Sequence, residues 1–138
     1  MLEVFQKLLR HGAGGQETIL LVEDQEPVRM LTARLLHDLG YRVLTATDGR
    51  DALRRFQLYS GRIDLLFSDM VMPGMGGIEL AEIMQKTRTN LHVLFMTGHS
   101  ERAAAADIWD QASGELLHKP FTAVALADAV RRALDARD

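Results

Sequence analysis

Short apolar runs alternate along this chain with longer stretches in which apolar residues recur every three or four positions. Ile19 to Val22, Ile63 to Phe67, Leu91 to Met96 and Leu116 to Leu117 are the apolar runs, and their brevity and continuity read as strands buried on both faces. With the mixed segment from Arg42, the pattern predicts strands at 18–22, 42–46, 63–68, 91–96 and 115–118. Between them, Glu26 to Leu39 sets Val28, Leu31, Leu35 and Leu39 on one stripe, and Gly40 supplies a stop. Asp48 is placed to cap a second helix with Ala52, Leu53 and Phe56 inward, and Ile78, Leu80, Ala81 and Met84 mark a third. Ser100 is expected to cap a fourth. The last runs from about Thr122 to Ala136, with Val124, Leu126, Ala127, Val130 and Leu134 as its apolar face. Strand and helix in strict alternation imply an α/β domain, a parallel sheet covered on both faces by crossover helices.

One element precedes this alternation. Leu2, Phe5, Leu8 and Leu9 recur at helical spacing, and Gly12-Ala13-Gly14-Gly15 then breaks the pattern. Residues 1–15 are therefore read as a helical extension with a Gly-rich linker, and residues 16–138 as the domain proper. The helix is expected either to pack on the domain or to mediate self-association; a frayed end or the remnant of a linker is the plainer alternative. Its glycines do not form a dinucleotide loop, because they come before the first strand and lack the G-x-G-x-x-G spacing.

Composition narrows the classes. A chain of 138 residues has the length of one domain with one core, and 47% hydrophobic with 25% charged residues is ordinary for a soluble protein. Neither a 20-residue apolar run nor a signal-peptide pattern occurs, so a cytoplasmic location without membrane contact is expected. The lack of cysteine removes disulfides, thiol nucleophiles and Cys-ligated zinc. A net charge of −3 gives no general attraction to nucleic acid.

The chemistry gathers where the strands end. Glu23-Asp24, Asp69, Thr97 and Lys119-Pro120 each follow an apolar run, and in an open parallel sheet such ends meet at one crevice. Alone, Glu23-Asp24 would be read as an acidic pair at a helix N-terminus. With Asp69 beside them, each carboxylate pair at about 4 Å would cost about 4 kcal/mol at an effective dielectric of 20, which calls for protons or a divalent cation. Mg²⁺ suits such oxygen donors. Asp69 leads into Met70-Val71-Met72-Pro73-Gly74-Met75-Gly76-Gly77, where glycines allow close backbone approach, and a carboxylate so presented can serve as a nucleophile toward phosphorus. Thr97, followed by Gly98, and Lys119 are positioned to receive phosphoryl oxygens.

On these residues the chain resembles the receiver domain of two-component response regulators. The matching stretches are Leu21-Val22-Glu23-Asp24, Asp69 to Gly77, Phe95-Met96-Thr97-Gly98 and His118-Lys119-Pro120-Phe121, in order over residues 18–137. The resemblance implies a flavodoxin-like (βα)5 fold with strand order 2-1-3-4-5, and Mg²⁺-dependent transfer of phosphate from a phosphohistidine to Asp69 with later hydrolysis. The donor it implies is a sensor histidine kinase or a histidine phosphotransfer protein. By position, Asp24, Asp69 and the Val71 carbonyl would ligate the metal, Glu23 through water, while Thr97 and Lys119 would read the phosphoryl group. It also implies a cis bond between Lys119 and Pro120. On this reading the protein is a signalling domain that catalyses its own phosphorylation and dephosphorylation, not a conventional enzyme, with no output domain of its own. Its listener would be a further protein, met through a changed surface. The resemblance covers stand-alone regulators and receivers of hybrid kinases alike, the first slightly favoured by a plausible helix after Met1. The sequence leaves the oligomeric state open; a homodimer would use the N-terminal helix or the face between the fourth and fifth helices of the repeated units.

Departures from the pattern carry their own expectations. Leu116 stands where receivers commonly have an aromatic switch, so the signal is expected to run through Thr97 and the following loop, or through the surface of the fourth helix and fifth strand. Val71 and His99 occupy positions that modulate hydrolysis of the phosphoryl group, and an apolar Val71 predicts slow hydrolysis. A metal-dependent phosphohydrolase would need a second acid where Val71 stands, and a pseudo-receiver would lack one of Asp24, Asp69, Thr97 or Lys119. His37-Asp38-Leu39 is similar to a kinase phosphoacceptor box, but Gly40 ends the helix and no nucleotide motif follows. His11, His92 and His118 lack metal-ligand spacing, and Met70, Met72 and Met75 are read as packing around the loop. Trp109 is divided evenly between core and partner contact, and Arg131, Arg132 and Arg137 are read most simply as a solvated face, with partner docking as the alternative.

Overall fold

The structure, a computed structural model, describes residues 2–10, 12, 14–98 and 115–136. Its elements in chain order are α1 (Leu2–Arg10), β1 (Thr18–Val22), α2 (Glu26–Asp38), β2 (Arg42–Ala46), α3 (Gly49–Leu58), β3 (Leu65–Asp69), α4 (Gly77–Thr87), β4 (His92–Thr97), β5 (Glu115–His118) and α5 (Ala123–Asp135). The strands form one parallel sheet in the order β2-β1-β3-β4-β5, as the resemblance implied. The expected fourth helix, with Ser100, Ile108 and Trp109, falls in residues 99–114, outside the described residues, as do His11, His99 and Arg137.

Two apolar layers hold the sheet. On one face Ile19 and Leu21 of β1, with Phe67, Leu94 and Met96, meet Leu35, Leu36 and Leu39 at α2 and Leu126, Val130 and Ala133 of α5. The other face packs Leu20, Val22, Leu66 and Phe95 against Ala52 of α3 and Leu80, Ala81 and Met84 of α4. Alternate strand residues feed opposite layers, which is why every position of β1 and β3 is buried. Asp48 caps α3 by accepting from Asp51 N at 2.8 Å, and Thr122 caps α5 by accepting from Ala125 N at 3.0 Å.

Three expectations are corrected. β3 begins at Leu65, since Asp64 turns its carboxylate onto Thr18 N at 2.9 Å; β3 and β4 then extend through Asp69 and Thr97, so both residues end strands rather than start loops. On α2 the buried stripe is Thr32, Leu35, Leu36 and Leu39, whereas Leu31 is 60% exposed, and on α5 Val124 is 48% exposed while Ala129 and Ala133 are buried. Arg131 is no solvated arginine: it donates to the Gly14 carbonyl at 2.8 Å and to Glu17 at 2.6 Å, and pairs with Asp135.

That arginine fastens the N-terminal extension. Phe5, at 5% exposure, enters the α2–α5 layer with Leu39 and Tyr41, and Gly15 N donates to the Leu39 carbonyl at 3.3 Å. Gly14 has φ +87°, and a Cβ there would lie 2.4 Å from the Leu39 carbonyl oxygen, so glycine is required on both counts. Of the roles expected for α1, packing on the domain is the one Phe5 serves.

Candidate functional site

Parallel strands bring the chemistry to one edge. Glu23 and Asp24 follow the last residue of β1, Asp69 ends β3, Thr97 ends β4 and Lys119 follows β5. The register sets Val22 beside Ser68, Asp69 beside Met96 and Thr97 beside His118, so these groups lie in a row across the carboxyl ends of four strands. Backbone bonds hold the row: Met70 N to Met96 O at 2.8 Å, and Lys119 N to Thr97 O at 2.7 Å. The crevice lies where the chain order reverses about β1, the place at which such sheets bind ligands.

Glu23, Asp24 and Asp69 each offer a carboxylate oxygen within 4.8 Å of the others. Among the described residues this is the single cluster of metal-ligating side chains, and His37, His92 and His118 lie outside it. Glu23 and Asp69 are buried and Asp24 is exposed, so the cluster is open on one side. The Lys119 ammonium donates to Glu23 Oε1 and to Asp69 Oδ2, both at 3.0 Å, and offsets part of their repulsion. Burial, foremost, and the charge of Asp69 raise the Glu23 carboxyl to about 7, against the pull of its Lys119 bond. For Lys119 burial works against the charged form, yet its bonds to the two carboxylates prevail and its pKa is raised.

The donor set is all oxygen, and it fits a hard divalent cation bound by one or two carboxylates, a carbonyl and water. A second feature points to a ligand: the Thr97 hydroxyl is fully buried and has no hydrogen-bond partner among the described residues. Gly98 follows it, half-buried at the rim.

The loop after Asp69 is fitted by close contacts. Gly77 N donates to the Met70 carbonyl at 3.0 Å, and a Cβ on Gly77 would stand 2.3 Å from the Asp69 carbonyl oxygen. Met70 and Met72 are buried against the α3–α4 layer and Met75 covers Gly49, as the packing reading of the methionines expects. Val71 turns outward at 42% exposure. The Lys119–Pro120 bond is cis. Leu116, at the aromatic's position, packs half-buried on the same layer. Beside Lys119, a groove of about 530 Å³ opens between Pro120, Phe121, Pro27, Val28 and Leu31.

Sequence reasoning named the acids, Thr97 and Lys119, which meet here. It missed Arg29, which donates to the Glu23 carbonyl at 2.9 Å and holds the start of α2 to the acid pair, and the individual fits of Gly49 and Gly77. No motif announces these, since each depends on a distant backbone or side chain.

Comparison with known proteins agrees with this geometry. The family model of the response regulator receiver domain matches residues 19–131. The sensor kinase CckA of Brucella abortus is 37% identical over 90% of this chain, which spans only 13% of that kinase. The sporulation initiation phosphotransferase F of Bacillus subtilis is 34% identical over 86% of this chain and 94% of its own. A response regulator receiver domain protein from Clostridium thermocellum has a similar solved structure, with a TM-score of 0.76, 29% identity and coverage of 86% of this chain and 94% of that one.

Proposed function

The chain belongs to the response regulator receiver domain family of two-component signalling, and from that premise we propose that it takes a phosphoryl group onto Asp69 from the phosphohistidine of a sensor kinase or histidine phosphotransfer protein. One observation carries the reading: a lysine ammonium lies 3.0 Å from a buried strand-end aspartate that shares its pocket with two further acids. In the transfer, an Asp69 carboxylate oxygen attacks phosphorus, the P–N bond breaks with its electron pair going to the donor nitrogen, and an acyl phosphate forms on Asp69 while the imidazole, protonated on its other ring nitrogen, leaves neutral. Mg²⁺, when held by Asp24 and Asp69 with Glu23 and the Val71 carbonyl near it, supplies charge neutralisation for the transferring group.

The chain's own residues do the rest. Lys119 leaves Glu23 to follow the incoming phosphoryl oxygens as a point charge, and the buried Thr97 hydroxyl gains the partner it lacks. Thr97 Oγ1 moving toward phosphate shifts the backbone after β4, and the population of the surface beyond it shifts with it. The apolar groove beside Lys119 supports contact with a protein donor at the mouth of the site, since the lysine that bonds Asp69 is part of its lining. Water later attacks phosphorus and the P–O bond to Asp69 breaks.

Incubation of the purified chain with a small phosphodonor and Mg²⁺, read by intact mass, tests the proposal. One phosphoryl adduct is expected, absent from Asp69→Asn and lost on chelation of the metal. No adduct with any donor would make the chain a binding module, and multiple-turnover phosphate release would make it a hydrolase.

A further inference from the structure

A second apolar concavity lies at the opposite end of the domain, where α3 and α4 finish and the strands begin. Leu53, Phe56, Tyr59 and Ile83 line a pocket of about 340 Å³ with buried Ile63 and with Arg88. None of these residues belongs to the phosphoryl site. Arg88 is the charged residue of this lining, and from Met84 to Asn90 the chain has Lys86 and Arg88 and no acid, whereas the neighbouring Arg54, Arg55 and Arg62 are held by carboxylates. Asp51 pairs with Arg54 and Arg55, and Asp64 pairs with Arg62. Lys86 and Arg88 have no ion pair among the described residues.

Cations at the end of α4 complement its helix dipole, and that accounts for their sign. It does not account for an open apolar pocket beside them, nor for Leu58, which follows Gln57 on the last turn of α3 at 77% exposure. An apolar socket flanked by unpaired cations matches a helix that presents bulky apolar side chains on one face and carboxylates beside them. We propose that the α3–α4 end docks an acidic amphipathic helix of a partner protein, seating an apolar anchor between Phe56 and Ile83 and setting carboxylates against Arg88 and Lys86. The arrangement separates partner from donor: this surface lies at the strand starts, and phosphoryl transfer takes place at the strand ends.

Selection of short random peptides displayed on phage against the intact chain, followed by titration of the recovered peptides into isotope-labelled protein, tests this. Recovered sequences are expected to carry apolar residues at helical spacing flanked by Asp or Glu, and to shift the resonances of Leu53, Phe56 and Ile83. Arg88→Glu should weaken their binding about tenfold, and Arg88→Lys much less. Uptake of phosphate from a small donor should stay unchanged in both variants, which shows that they fold. No recovered peptide, a consensus without acids, shifts centred elsewhere, or equal binding by Arg88→Glu would overturn the proposal. So would a dimer mass that Arg88→Glu abolishes, since a second copy would then be the occupant.

Discussion

Lys119 Nζ lies 3.0 Å from Asp69 Oδ2, across 50 residues of chain, and the same ammonium lies 3.0 Å from Glu23 Oε1. Without a divalent cation this lysine is a positive charge shared by the two buried carboxylates. Its removal should therefore matter more to the metal-free protein than to the metal-bound one. Lys119→Ala is expected to lower the melting temperature strongly in chelator and much less in excess Mg²⁺, because breaking a buried pair costs about 3–5 kcal/mol unless another cation replaces the lost one. Phosphoryl uptake should fall about tenfold or more, since a charge-assisted contact to the transferring group is gone. Equal thermal losses with and without Mg²⁺ would show that Lys119 has no part in neutralising the acids.

Glu23 sets a pH dependence. Its carboxyl has an ordinary pKa of 4.5 and is raised to about 7 in the folded chain, chiefly by burial. The folded state therefore binds this proton more tightly than the unfolded state does. The contribution is fully present below about 4.5 and is lost as pH rises toward 7, by at most about 1.4 kcal/mol per unit. Urea midpoints in chelator should decline over that window and level off above it. Mg²⁺ affinity should run the other way, rising with pH until Glu23 is ionised, because ligating carboxylates must give up their protons. Metal affinity independent of pH through this range would remove Glu23 from the metal's surroundings.

Gly77 carries a constraint on Asp69. A methyl group there would stand 2.3 Å from the Asp69 carbonyl oxygen, a contact that forces backbone and not merely a flexible side chain to move. Gly77→Ala should destabilise by about 1–3 kcal/mol, as overpacking does. It should also slow phosphoryl uptake, because Asp69 shifts from its place beside Lys119. Wild-type uptake in a folded Gly77→Ala chain would show that the loop relaxes independently of Asp69.

These groups differ in how plainly the sequence announces them. The acids, Thr97 and Lys119 were legible because each follows an apolar run, and parallel strands with crossover helices must bring such ends together. The inward face of α2 was not. Leu31 and Leu36 are both apolar, so a stripe through Val28, Leu31 and Leu35 and one through Thr32, Leu35 and Leu36 fit the same period, and the sheet selects the second. Arg131 was read as solvated because its partner, the Gly14 carbonyl, lies 117 residues away and is a backbone atom with no signature of its own. Gly77 stood in a recognised loop, but its reason is a distance to Asp69 that no spacing encodes.

Phe5 is the pin of the N-terminal helix. It is 5% exposed and packs with Leu39 and Tyr41 of the domain, so Phe5→Ala should remove most of what holds α1 down. The loss expected is that of burying one aromatic, about 1.5–3 kcal/mol. Hydrogen exchange should quicken in residues 2–10 and around Gly40, while phosphoryl uptake at the far end of the sheet stays as it was. Unchanged protection in α1 would mean that Arg131 and the glycine linker suffice without Phe5.

Val71 bears on how long the signal lasts. It stands two residues after Asp69 and is 42% exposed. In-line attack needs a water held opposite the leaving carboxylate, and an isopropyl group offers neither donor nor acceptor to hold it. The phosphorylated chain should accordingly lose its phosphate over minutes or longer. Val71→Asn supplies a polar group at the same backbone position and should speed the loss about tenfold, short of the 10²–10⁴ that a positioned general base contributes. Uptake should be little changed, because any role of the Val71 carbonyl belongs to the backbone and survives the substitution. Decay followed by intact mass after removal of the donor decides the matter: a half-life of seconds in the wild-type chain would mean that some other group orients the water.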